Sequence, residues 1–448
     1  MVFSSQTNNL ILDITPSTKA KGKLIRALGL GAVVIYGVGD ILGAGIYALV
    51  GKVAGHAGAL TWLSFAVAMA IVLFTALSYG ELVSRFPRSG GVSVYVQEAF
   101  AHKWLSLLVG LLLFTATILS MSTLSQAFVG YVRAIGFSIP VWLGIFIFLT
   151  ILFLINIRGI QQSSIANMIS TFIEISGLLI VLICGFWYLT SQPDKRVVVD
   201  SFPSIKELLQ GAALAFFAFT GFEDLANIAE EVKDPKKNLP RAMLYSLGSA
   251  GILYLGVSFV ATAIVPGAEL SQSDSPLVDV VSKSYPAMPV FIFSVIAIFA
   301  VTNTTLLNYI TASRLLYGMA EARLLPAFLQ TVHPRYHTPY VAILFIFPIV
   351  FGLGLTGTLK GLAGSTSAIV LTVFSFSSAA LIKTKFKEKK QQHRTPVFRV
   401  PFFIPCLAIA LNAAAICFLP WDSIVMAAIL LAVWLFLVGM FHWVYSKF

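Results

Sequence analysis

Gly37-Val38-Gly39-Asp40-Ile41-Leu42-Gly43-Ala44-Gly45-Ile46-Tyr47 lies inside the first long apolar run of a 448-residue chain, and its reading decides the fold. Each glycine costs a helix up to about 1 kcal/mol against alanine, so this stretch predicts a helix that breaks midway. A second interrupted run reads Phe216-Phe217-Ala218-Phe219-Thr220-Gly221-Phe222-Glu223-Asp224, with two carboxylates well inside apolar sequence. Counting apolar runs puts the two breaks five helices apart. Paired interruptions at matching positions of two halves point to inverted repeats with a binding site near the middle of a membrane.

Composition supplies the solvent for that reading. Of the chain, 58% is apolar and 11% charged, with a mean hydropathy of +0.89. A soluble protein of this size carries roughly 25% charged residues, so this one is expected to be solvated by lipid. Runs long enough to span fall near 28–51, 57–83, 104–132, 140–157, 164–190, 207–229, 243–266, 287–320, 339–358, 361–382, 401–420 and 423–446. They are continuous and not alternating, which favours helices over a barrel. The expected fold is an all-α integral membrane protein of about twelve transmembrane helices. Residues 1–22 read as a cytoplasmic tail, 23–190 as the first repeat, 205–384 as the second, and 400–448 as two peripheral spans. No short apolar segment with a cleavage site precedes them, so a signal peptide is not expected. Cys184, Cys406 and Cys417 sit in apolar runs without metal-ligand spacing and read as core-packing residues.

The net charge of +11 resembles a nucleic-acid signal until the charges are placed. With a cytoplasmic N-terminus and alternating spans, the cytoplasmic side collects most of the basic residues, including Arg85, Arg88, Lys233, Lys236, Lys237, Arg241, Arg314 and the run from Lys383 to Arg399. The outside keeps Lys52, Arg133, Lys195, Arg196, Lys206, Lys283 and Lys360. That satisfies the positive-inside rule for a multi-pass protein of the cytoplasmic membrane with both termini inside. The basic excess is then topology and lipid contact, with no nucleic-acid partner. Oligomeric state is not readable from it.

The breaks carry the chemistry. Unwinding at Gly43-Ala44-Gly45 frees backbone N–H groups and aims a helix dipole end at a cavity, which suits a substrate carboxylate. The blander reading of such a motif is a small-residue contact between helices. An unwound Phe217-Ala218-Phe219-Thr220-Gly221 offers carbonyls to an ammonium group, and Phe217 or Phe219 reads as an aromatic lid. Glu223 lies where an ionisable residue costs several kcal/mol and is usually functional. Asp40 and Glu174 are further buried carboxylates that read as a shared-proton or cation site, with Thr304 and Thr305 as additional oxygens. The alternative is a structural pair satisfied by neighbouring hydroxyls. Glu81 and Arg85, four residues apart, read as a surface salt bridge.

At these motifs the chain resembles the amino acid–polyamine–organocation superfamily, whose members share the LeuT-like five-plus-five inverted-repeat fold. The resemblance rests on Gly43-Ala44-Gly45-Ile46-Tyr47, Phe86-Pro87-Arg88-Ser89-Gly90-Gly91 with Tyr95, Phe219 through Glu223 into Glu230-Glu231-Val232-Lys233-Asp234-Pro235 and Asn238-Leu239-Pro240, and Ala312-Ser313-Arg314-Leu315-Leu316-Tyr317-Gly318-Met319-Ala320 with Leu325-Pro326. These cover about residues 25–385 in the family's order, and the first is closest to the cationic amino acid transporter branch and its bacterial relatives. The resemblance implies that an amino acid binds through its carboxylate at 43–45, flanked by Ile41 and Ile46, and through its amino group at carbonyls near 217–220. It also implies that Glu223 couples binding to gating.

Many proton-coupled or exchanging relatives have a lysine in span five, in the place of a sodium ion; this chain has Glu174. A carboxylate cannot imitate a bound cation, so Glu174 reads as a proton acceptor, a sodium ligand or a partner of Asp40. A sodium site near Asp40, Glu174, Thr304 and Thr305 and coupling to H+ or Na+ both stay open, with no other cofactor expected. Span three, Trp104 to Val129, has no acidic residue to meet a basic substrate side chain, which favours neutral amino acids. The alternatives are a cationic amino acid or polyamine transporter, an obligatory exchanger and, more distantly, an amino acid-sensing transceptor. No nucleophile–base pair or metal cluster suggests an enzyme.

Overall fold

In lipid, backbone N–H and C=O groups must be satisfied within the chain, and for continuous apolar runs that means helices. The computed structural model describes residues 28–43, 45–88, 91–158, 164–192, 194, 197, 202–321, 325–391 and 398–445. Among them the helices are α1 (Leu30–Leu42), α2 (Gly45–Ala57), α3 (Thr61–Arg85), α4 (Gly91–Phe100), α5 (Lys103–Ala134), α6 (Val141–Arg158), α7 (Ser164–Ser191), α8 (Ile205–Ala215), α9 (Pro235–Ile264), α10 (Gly267–Gln272), α11 (Pro276–Ser284), α12 (Val290–Glu321), α13 (Tyr340–Thr356), α14 (Leu359–Gln391), α15 (Phe403–Phe418) and α16 (Trp421–Tyr445). The β-structure among these residues is an isolated bridge from Leu28 to Val232.

Each of the twelve predicted runs falls on helix, but length alone counts fewer spans. Among the described residues, eight helical stretches are long and apolar enough to cross a membrane, or nine if α15 and α16, bent by 112°, form one broken span. The difference arises at α13, only 17 residues long, at the bent pair α15 and α16, and at the N-terminal half. There α1 is a short apolar helix, while α2 runs into α3 through a 3-10 turn at Gly58–Leu60, giving one helical stretch from Gly45 to Arg85. The helix count by length therefore misses a first span that is cut in two.

The packing surrounds the broken helices. α1 lies against α7 and α9, α2 against α8 and α10, and α3 against α8 and α9. A second group joins α5 to α12, α13 and α14. Large apolar side chains remain exposed around the rim, among them Phe172, Ile183, Ile252 and Phe436. In a membrane protein this is the lipid-facing surface. Exposed Trp104, Trp142, Trp187 and Trp421 lie near helix ends, as interfacial tryptophans do.

Two readings of the sequence need correction. Cys406 and Cys417 are exposed and Cys184 is only half-buried, so all three free cysteines lie toward the lipid-facing side and not in the core. Glu81 is fully buried, not a surface residue. It accepts from Arg85, from the Lys385 ammonium at 2.7 Å and from the Val400 N–H at 2.8 Å, and Arg85 continues to Glu388. The spacing of Glu81 and Arg85 revealed their pairing but not the segment after α14 that folds over them.

Candidate functional site

The two breaks meet. α1 ends at Leu42, and Gly43 turns out of the helix while its N–H still donates to the Gly39 carbonyl at 3.2 Å. Helix resumes at Gly45. On the partner side α8 ends at Ala215, followed by a 3-10 turn at Phe216–Phe219 and another at Phe222–Ala226. Between these turns Gly221 adopts φ +120°, a conformation that L side chains rarely enter.

Glycine also allows the approach between the breaks. A Cβ on Gly45 would lie 2.5 Å from Ala218 Cα, and one on Gly221 would lie 2.8 Å from the Asp40 carbonyl oxygen. Each break thus packs its bare backbone against the other. The carbonyls at the end of α1 have no helical partner, as at any helix terminus. Tyr254 of α9 supplies one: its hydroxyl lies 2.6 Å from the Ile41 oxygen and 3.0 Å from the Ala218 oxygen.

A cavity of about 630 Å³ opens beside this crossing and reaches α4. Asp40, Ile41, Gly45, Phe217, Ala218, Thr220, Gly221, Glu223 and Thr304, all anticipated from sequence, line it. Gly43, Ile46, Phe219, Glu174 and Thr305 do not. Gly43 packs on Thr304. Phe219 is buried edge-on against Phe65 and Tyr254, so of the two candidate lids only Phe217 faces the cavity. Ala44 lies outside the described residues.

The structure adds a wall that the sequence did not resolve. α5 contributes Leu113, Ala116, Thr117, Ser120 and Leu124; α12 contributes Thr304, Asn308, Thr311 and Leu315; α14 contributes Thr366 and Val370. The Asn308 amide donates to the Ser120 hydroxyl at 3.0 Å, joining the first two. Both sets recur at three- and four-residue steps, so each forms one helix face. That spacing was a readable signal, but only the fold says which polar stripe faces the breaks.

Carboxylates also line the cavity. Glu223 accepts from the Gly221 N–H at 2.8 Å, Asp224 accepts from the Asn227 amide at 3.0 Å, and both line the cavity with Arg314. Asp40 Oδ2 is buried without a hydrogen-bond partner. Glu174 sits apart and fully buried. Its Oε1 accepts from Asn303 at 3.1 Å, while Oε2 has no partner. The Glu174 backbone carbonyl accepts from the Tyr47 hydroxyl at 2.8 Å, and the Tyr47 carbonyl in turn accepts from Tyr131 at 2.7 Å. Thr304 and Thr305 donate to carbonyls one turn back in α12, at 3.2 and 2.7 Å. No group of three or more His, Cys, Asp or Glu suited to a metal occurs among the described residues.

Similarity to known proteins agrees with this geometry. The family profile described as "Amino acid permease" matches residues 32–448. The branched-chain amino acid permease BcaP of Bacillus subtilis (strain 168) is 30% identical over 460 residues, covering 98% of this chain and 96% of that protein. Cationic amino acid transporter 9, chloroplastic, of Arabidopsis thaliana is 30% identical over 392 residues, covering 82% of this chain and 68% of that one. The methylthioribose transporter of Bacillus subtilis (strain 168) is 29% identical over 423 residues, covering 90% and 89%.

Proposed function

This chain belongs to the amino acid permease family, and from that premise we propose that it carries neutral α-amino acids across the cytoplasmic membrane by alternating access. Amino acid transport by a multi-pass membrane protein follows from the family itself. The finer reading rests on one observation, the crossing of two unwound helices beside the cavity. Backbone N–H groups of the 43–45 break take the substrate carboxylate, and the carbonyls of Ile41 and of residues 217–220 take its ammonium group. Phe217 closes over the bound molecule. The substrate bridges the two breaks, which links occupancy to closure.

The neutral preference draws support from the α5 wall, whose cavity-lining stretch from Leu113 to Leu124 carries no charge. A second reading, transport of cationic amino acids or polyamines, draws on Asp40, Glu223 and Asp224 around the same cavity. Under the positive-inside orientation, with both termini cytoplasmic, the α4 end of the cavity faces the cytoplasm. Residues 23–190 and 205–384 act as the two repeats in this scheme. Coupling runs through the buried carboxylate of Glu174, with Asp40, Thr304 and Thr305 around the break, and uses a proton or sodium; obligatory exchange is the competing mode.

Counterflow in proteoliposomes tests the substrate class without needing the coupling ion. Liposomes loaded with one common amino acid or putrescine receive a trace of labelled alanine or arginine. Accumulation driven by neutral amino acids is the expected result. Accumulation driven only by arginine, lysine or putrescine overturns the neutral assignment, and none with any pair, in folded protein, overturns transport by this site.

A further inference from the structure

We propose that Tyr254 is a positioning residue for the substrate's ammonium group: its hydroxyl holds the Ile41 and Ala218 carbonyls, one from each broken helix, at a spacing that a single ammonium bridges. The inference rests on the reading that substrate ammonium binds at those carbonyls.

The geometry is specific. Tyr254 lies in α9 and is fully buried, and its hydroxyl is 2.6 Å from one oxygen and 3.0 Å from the other. One oxygen atom therefore reaches both carbonyls at hydrogen-bonding distance. An ammonium nitrogen has the same reach, about 2.7–2.9 Å to each acceptor, so it bridges a pair held at this separation. The phenol's one proton is shared between the two carbonyls in a three-centre bond, whereas each carbonyl oxygen has two lone pairs. Acceptor capacity thus remains for the ligand while Tyr254 stays in place.

Ile41 and Ala218 line the cavity and Tyr254 does not. The hydroxyl meets the carbonyls from within the protein, behind the site, so it does not compete with the substrate for space. The ring is seated edge-on to Phe65 and Phe219, with centroids 5.9 and 5.2 Å away. Phe219 belongs to the same 3-10 turn as Ala218. The ring is therefore fixed to one break by packing and to both by its hydroxyl. Elsewhere the two breaks meet through close backbone approach; here one side chain of a third helix ties them.

Tyr254→Phe keeps the ring contacts and removes only the hydroxyl. The variant and the wild type are reconstituted, and KM and Vmax for counterflow are measured with whichever of alanine, serine, leucine or valine the wild type exchanges fastest. Inhibition by the matching 2-hydroxy acid, which lacks the ammonium group, is measured alongside. The expected result is a KM about tenfold higher, the size of one lost hydrogen-bond contribution, with Vmax within about twofold. The hydroxy-acid inhibition constant should change by less than about threefold. 4-Aminophenylalanine at 254 restores a donor at the ring's far end and should bring KM back to the wild-type value. That protein also serves alone if the phenylalanine variant does not reconstitute, a tenfold rise in its KM counting against the proposal. A lower Vmax and Tm with unchanged KM, or equal losses for amino acid and hydroxy acid, would mean a merely structural hydroxyl and overturn the inference. A wild type that exchanges no amino acid overturns the binding reading itself, an outcome separate from a working wild type beside an unaffected variant.

Discussion

Gly45→Ala is the smallest change that should stop transport. The added methyl would sit 2.5 Å from Ala218 Cα and 2.9 Å from Ala218 Cβ. Carbon atoms pack comfortably at about 3.5–4.0 Å, so one backbone must retreat by roughly 1 Å. Because the obstacle is main chain, no side-chain rotation relieves it. A displacement of about 1 Å in a site that must hold both ends of a ligand costs on the order of a hundredfold, or about 2.7 kcal/mol. Overpacking of this kind also lowers stability by about 1–3 kcal/mol. Counterflow KM and Vmax in proteoliposomes, read beside thermal stability in detergent, separate the two effects. We expect exchange to fall about a hundredfold in protein that still folds. Ala218→Gly in the same background should recover little, since it leaves Ala218 Cα in the way. Exchange by Gly45→Ala within about threefold of wild type would refute the idea that the crossed breaks form the binding site.

The neighbouring positions behave differently. A Cβ on Gly43 meets the Thr304 hydroxyl oxygen at 2.0 Å, a group that rotates, so Gly43→Ala should cost about tenfold or less in counterflow and be largely rescued by Thr304→Ala. Glu174→Gln keeps an acceptor for Asn303 but removes the ionisable carboxyl; uptake should lose its pH or sodium dependence while substrate preference in counterflow is unchanged, and unaltered ion dependence would count against coupling. Glu81→Ala leaves Lys385 and Arg85 without their buried partner and should destabilise by about 3–5 kcal/mol in a thermal-shift measurement. Glu388→Ala, at a partly exposed carboxylate, should cost distinctly less in the same assay.

The candidate site was half legible before any fold was known. Glycines crowded into an apolar run and two carboxylates inside another were visible as violations of what a membrane helix tolerates, and both mark real breaks. The aromatic pair Phe217 and Phe219 looked equivalent, because neighbouring residues carry no label for which way a 3-10 turn aims them. Only Phe217 reaches the cavity, whereas Phe219 closes the packing under Tyr254. Nothing in the sequence marks Tyr254. A tyrosine in a long apolar helix is ordinary, and its importance lies wholly in two carbonyls distant in sequence.

By itself the sequence determined the solvent, the helices and the two places where helices fail, since these depend on local composition: lipid demands apolar runs, and glycine weakens a helix wherever it stands. Its motifs also carried the family. The tertiary structure decided what the breaks face, because a span's rotation about its own axis is set by its neighbours. Only that rotation brings Ala218 onto Gly45 and turns the Ser120 and Asn308 stripes inward. It also sends Glu174 behind the cavity wall, and places the Tyr254 hydroxyl between two carbonyls that no sequence spacing connects.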